Sequence, residues 1–298
     1  MMATCVLAAA TPAAAQDRAP VVLSPSSEWA MEYADDSCRL ARMFGTGESQ
    51  TILYFERFEP GNSFTLLVAG APLKARRDTA RTTFHFGPAG RDYDGSWTPG
   101  SFGQFDPALI VSSTALFPFK REQESEPHVD PSSIAQDRGR FRQWITPEQE
   151  ESIRWLEIRR AGMAPVRLEL GSLGAPFAAM RTCTDELLTH WGIDVAAHRD
   201  LTRAAAPKNS PARWLGPNDY PTHLLLKGAQ GLVHFRLMIG PDGQPTDCVI
   251  QRSTRPEGFD QAVCRALMRK ARFTPALDAQ GKPVASYWLN TVRFEIPG

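Results

Sequence analysis

Among side chains able to do chemistry, the cysteines carry the clearest pattern. Of the five, Cys5 lies in an Ala-rich leader and four follow: Cys38, Cys183, Cys248 and Cys264. An even set in an oxidising compartment points to disulfides, although four cysteines allow three pairings. No spacing is CxxC, so neither a zinc site nor a thioredoxin-type centre is expected, and no metal or cofactor is called for. The histidines (His85, His128, His190, His198, His223 and His234) show no HExxH spacing, and Ser112-Ser113 and Ser132-Ser133 lie in no GxSxG context. Asp92-Tyr93-Asp94-Gly95-Ser96 has the wrong order for an aspartic-protease signature and reads as a turn. Glu148, Glu150 and Glu151 read as a solvated first helical turn. Nothing assembles a nucleophile, a base and an orienting group, so binding rather than catalysis is expected.

Composition agrees. Lys plus Arg and Asp plus Glu are 33 each over 298 residues, so no global field favours nucleic acid or an anionic membrane. Residues 1–15 are uncharged and end in Ala13-Ala14-Ala15, with the small side chains a signal peptidase requires before its cut. We expect an export signal with a truncated basic region, the alternative being an anchor whose start lies upstream. Fifteen residues are too few for a helix across a ~30 Å hydrocarbon core.

The elements that must position these residues fall into two parts. Residues 16–198 should form a β-rich domain, with strands at 51–58, 63–69, 82–86 and 108–114, each β-branched or aromatic and bounded by Gly, Pro or Asn. A helix is expected from the Thr146-Pro147-Glu148 start to about Arg159, with Ile153 and Leu156 on one face. A second, at about 176–191, carries the stripe Met180, Cys183, Thr184, Leu187, Leu188 and Trp191 and ends at Gly192. Cys183 would point to the core, where a bond to Cys38 would join the two ends of the domain. Two unrelated buried thiols are the alternative. The Pro-, Ala- and Asn-rich run 199–218 reads as a linker.

Residues 219–298 are sharply patterned. Val233, Phe235, Leu237 and Ile239 alternate with His234, Arg236 and Met238, giving a strand with one buried face. Pro241-Asp242-Gly243 supplies a turn into a second strand, at 246–253, bearing Cys248 and Ile250. A helix at 259–272 presents Phe259, Ala262, Val263, Ala266 and Leu267 inward and is stopped by Pro275. The last strand, 286–296, puts Trp288, Val292, Phe294 and Ile296 on one side. The whole is therefore α+β: a β-rich first domain with two helices, then a small ββαβ unit whose three-stranded antiparallel sheet carries one helix on one face. Cys248 can reach Cys264 on that covering helix.

Tyr220-Pro221, Gly228, Gly231, Val233, Asp242-Gly243, Phe259-Asp260, Phe273, Pro275-Ala276, Gly281 and Pro283-Val284 together resemble the TonB C-terminal domain in residue type, order and spacing. The resemblance covers about a quarter of the chain, and Cys248 and Cys264 resemble a disulfide-bearing variant. It implies an exported, periplasmic domain that takes a segment of an outer-membrane transporter as an added strand beside its last strand. Here that edge is Ser286, Tyr287, Trp288, Leu289, Asn290, Thr291, Val292, Arg293 and Phe294. An edge merely blunted by Arg293 and Glu295 is the other reading. An energy transducer resembling the family also has a membrane anchor and a long Pro-rich spacer, neither of which is legible here, so that role is not expected to carry over. Two further alternatives stand: a secreted hydrolase or ligand-binding protein acting through the first domain, and a homodimer formed through the C-terminal sheet.

Overall fold

A computed structural model describes residues 18–77, 80–90, 92–117, 145–253 and 257–296. The expected leader 1–15 with Cys5, and His128 and Ser132-Ser133, lie outside the described residues.

The first part contains strands β1 (Val21–Leu23), β2 (Ala30–Tyr33), β3 (Cys38–Phe44), β4 (Thr51–Arg57), β5 (Phe64–Gly70), β6 (Thr82–Gly87), β7 (Asp92–Tyr93), β8 (Thr98–Phe102) and β9 (Phe105–Thr114). Helix α1 (Pro147–Ser152), β10 (Trp155–Arg160), β11 (Val166–Glu169), α2 (Gly174–His190) and α3 (Val195–Arg199) follow. Two sheets result, ordered β2-β3-β4-β5-β9-β8 and β1-β11-β10-β6-β7. Their apolar faces share one core, in which Leu53, Phe55, Leu66 and Val68 meet Phe84, Phe86, Leu156 and Ile158. Phe177, Met180, Cys183 and Leu187 of α2 close it, so the stripe read from 3.6-residue periodicity is the buried one. Cys183 bonds Cys38, the first residue of β3.

One element differs from expectation. The helix begins as read, with Thr146 and Gln149 in a reciprocal capping box, but it ends at Ser152 rather than near Arg159. Residues 155–160 are strand β10, in which Leu156 pairs with Phe86 and Leu168, and Ile158 with Phe84 and Val166. Leu156 and Ile158 share a face at period two, and pairing on both sides outweighs the helical start.

The second part contains β12 (Ala206–Pro207), α4 (Thr222–Leu225), β13 (Gly231–Ile239), β14 (Pro245–Ser253), α5 (Gly258–Lys270), β15 (Phe273–Thr274), β16 (Ala276–Leu277), β17 (Pro283–Val284) and β18 (Ser286–Phe294). The main sheet is β14-β13-β18, all antiparallel. The β13–β14 turn requires glycine at Gly243: its φ is 78°, and a Cβ there would sit 2.1 Å from the Phe273 carbonyl oxygen.

The expected linker is also different. Ala206 and Pro207 pair with Thr274 and Phe273, and Trp214 is 1% exposed within the second core. Its ring lies 5.3 Å from Phe273 and 5.4 Å from Trp288, and its indole nitrogen donates to Asn209 Oδ1 at 2.7 Å. Pro and Ala made the run look unable to hold a ladder. One large aromatic side chain is enough to pin it down.

Candidate partner-binding edge

The last strand is held from one side. β18 pairs with β13 over nine register positions, from Ser286 against Ile239 to Phe294 against Gly231. Among the described residues no strand pairs with its outer edge. Beneath it, Phe259 of α5 stacks on Phe294 at 4.2 Å, and Tyr220 meets both rings edge-on at 5.4 and 5.3 Å. Cys248 on β14 bonds Cys264 on α5, clamping the helix to the sheet.

The other face of the sheet, expected to be solvated, is docked on the first part. Arg236 is 6% exposed; its guanidinium lies 3.9 Å over the Trp191 ring and donates to Asp36 Oδ1 at 2.6 Å. Arg252 of β14 pairs with Glu56, a fully buried carboxylate that also accepts from Arg39 Nε at 3.0 Å and Ser37 Oγ at 3.1 Å. A buried carboxylate is stable only when charge-assisted bonds replace its water, and here donors from both halves supply them. Tyr287, Met238 and Leu289 pack against Leu188, Ile193, Trp191 and Val195.

The docking divides the nine edge residues. Ser286 and Tyr287 lie under α3: His198 Nε2 is 3.0 Å from Ser286 Oγ, and its ring stacks on Tyr287 at 5.2 Å. Trp288 and Phe294 are buried in the second core. Leu289, Asn290 and Val292 are half-buried, and Thr291 and Arg293 are exposed. The Thr291 amide donates to Asn290 Oδ1 at 2.8 Å, so it points away from β13. Amides alternate sides along a strand, which puts those of Leu289, Thr291 and Arg293 on the open edge.

Burial sets the titration of this region. Desolvation lowers the His198 pKa to about 4, so its ring is neutral at physiological pH. Desolvation, then the Glu59 carboxylate, holds the Tyr287 phenol well above its ordinary value. His234, 2.8 Å from Thr291 Oγ1 through Nδ1, is lowered by burial and then by Arg252, against Glu56. Among the described residues no His, Cys, Asp and Glu group could hold a metal ion.

Sequence reading missed Asp36, Glu56, Arg236 and Arg252 as an interface. No local signal marked them: Arg236 alternates with Phe235 and Leu237 as a solvent-facing residue of a one-sided strand would.

The fold and its open strand define a class: a small, disulfide-clamped ββαβ domain that follows a β-rich part. Residues 217–296 match the model of the Gram-negative bacterial TonB protein C-terminal family, and that segment is a TonB C-terminal domain. Of solved structures, the solution NMR structure of the Pseudomonas aeruginosa TonB C-terminal domain is 27% identical, covering 32% of this chain and 88% of that one, with a TM-score of 0.25. No curated protein matches the chain. Trp214 and β12 precede the matched segment, so they extend the family domain.

Proposed function

We propose that this is an exported, periplasmic binding protein that accepts a partner strand along the outer half of β18, residues 289–293. The observation that carries this reading is the edge itself: β18 is paired on one side only, and its exposed half presents outward amides flanked by Thr291 and Arg293. Backbone groups of such an edge give affinity to any extended peptide, and the alternating side chains select among them. The partner is a segment of an outer-membrane receptor, as the TonB family suggests. Two disulfides support an oxidising compartment, and among the described residues no helix is long and apolar enough to cross a membrane. The first part serves as a platform fixing the sheet's other face, with no catalytic role.

Amide NMR of the full chain, titrated with N-terminal peptides of outer-membrane receptors, tests this. Shifts confined to 289–293, and lost in Thr291→Pro, are expected, because proline removes an outward backbone donor and leaves the backbone ladder to β13 in place, losing only the Thr291 Oγ1–His234 side-chain contact. Shifts elsewhere, or none, would sink the proposal. Concentration-dependent dimerisation that Thr291→Pro abolishes would instead make a second copy the guest strand.

A further inference from the structure

A cleft of about 490 Å³ lies between the β4–β5 loop at Pro60 and Asn62, the Ala178–Arg181–Asp185 flank of α2, and His198–Arg199 of α3. Its volume is in the range of small-molecule sites. Arg57, the last residue of β4, contributes to its wall, 3% exposed and lying 5.0 Å over the Phe177 ring. Among the described residues Arg57 forms no salt bridge, and its Nε finds no acceptor. The other two guanidiniums of the lining are already matched: Arg181 donates to both Glu150 oxygens at 2.6 and 2.5 Å, and Arg199 pairs with Asp185.

A buried cation with no hydrogen-bonded counter-charge of its own is costly, and natural proteins retain one where something else helps neutralise it. Desolvation lowers the Arg57 pKa to about 10, which still leaves it charged at neutral pH, with Glu150 opposing the shift. We propose that this cleft binds a small organic carboxylate, whose oxygens take the guanidinium of Arg57 while its body lies along Ala178, Leu188 and Pro60. Charge selects the class. Three guanidiniums face two carboxylates and a neutral His198, so a monoanion balances the cleft and a phosphate dianion overloads it. The remaining volume accommodates an organic body that inorganic ions lack. The cleft shares no lining residue with β18, and its test reads carboxylate binding rather than edge shifts, so either reading can fail alone.

Calorimetric titration of the full disulfide-bonded chain with sodium acetate, butyrate or benzoate, and with inorganic phosphate, at constant ionic strength is the test. Saturable one-to-one binding of butyrate or benzoate is expected, with phosphate at least fivefold weaker. Glu150→Gln removes a competing carboxylate and should tighten carboxylate binding at least threefold. Arg57→Gln should abolish it; should that variant not fold, Arg57→Lys, which keeps the charge without the planar fork, should bind at least fivefold more weakly. No saturable carboxylate binding, phosphate binding as tight as butyrate, or a Glu150→Gln variant that binds no tighter would each overturn the assignment.

Discussion

Arg236 Nη1 lies 2.6 Å from Asp36 Oδ1, a contact between residues 200 apart in the chain. Asp36 stands between β2 and β3 of the first part, and Arg236 is central in β13 of the TonB C-terminal domain. The family domain is therefore seated on a platform, and its polar face is an interface.

This contact should be unequal when broken from one side. Asp36→Ala leaves the buried Arg236 uncompensated and should cost about 2–4 kcal/mol, whereas Asp36→Ala with Arg236→Met should cost less than Asp36→Ala alone. Urea unfolding of the two variants measures the difference, and a double variant that is the less stable would contradict it.

The run before the matched segment should behave as core. Trp214→Ala removes a 1%-exposed side chain packed between Phe273 and Trp288 and should cost about 3–5 kcal/mol in thermal or urea unfolding. A loss under 1 kcal/mol would return residues 199–218 to the status of a linker.

Acid should loosen the domain junction through His198. Its folded pKa, about 4, is below the ordinary value of 6.5, so the unfolded chain binds the proton first as pH falls. Stability from this group is full above about 6.5, declines as pH drops toward 4, and is lost below, by roughly 3 kcal/mol. His198→Gln should flatten that part of the stability–pH curve, and an unchanged slope would count against the assignment.

The two disulfides should differ in worth because they close different loops. Cys38 and Cys183 are 145 residues apart and Cys248 and Cys264 are 16 apart. Chain entropy gives about 5 and about 3 kcal/mol respectively. Paired Cys→Ala variants in chemical denaturation should show the longer loop losing more; the reverse order would mean native packing dominates.

Much of the second part was legible because its signals are local. The alternation Val233, Phe235, Leu237, Ile239, the Asp242-Gly243 turn and the stripe Phe259, Ala262, Val263, Ala266 and Leu267 each depend on neighbours a few residues away. Both cysteine pairs were partly legible too, from the even number, the place of Cys183 on its helical stripe and the reach of Cys248 to the covering helix, with unpaired thiols as the alternative for Cys38 and Cys183. Residues 155–160 were misread since a genuine capping box at Thr146 precedes them, and only cross-strand partners at Phe84, Phe86, Val166 and Leu168 mark them as strand.

By itself, then, the sequence determined the ββαβ unit of residues 219–298 through short-range periodicity and turn stereochemistry, while its open final strand entered only as what the family resemblance implies. Tertiary structure alone decided which polar side chains leave water. Arg236, Glu56 and His198 carry no local mark of burial; each is buried because a surface assembled from distant segments closes over it, and only that closure leaves residues 289–293 as the accessible stretch of β18.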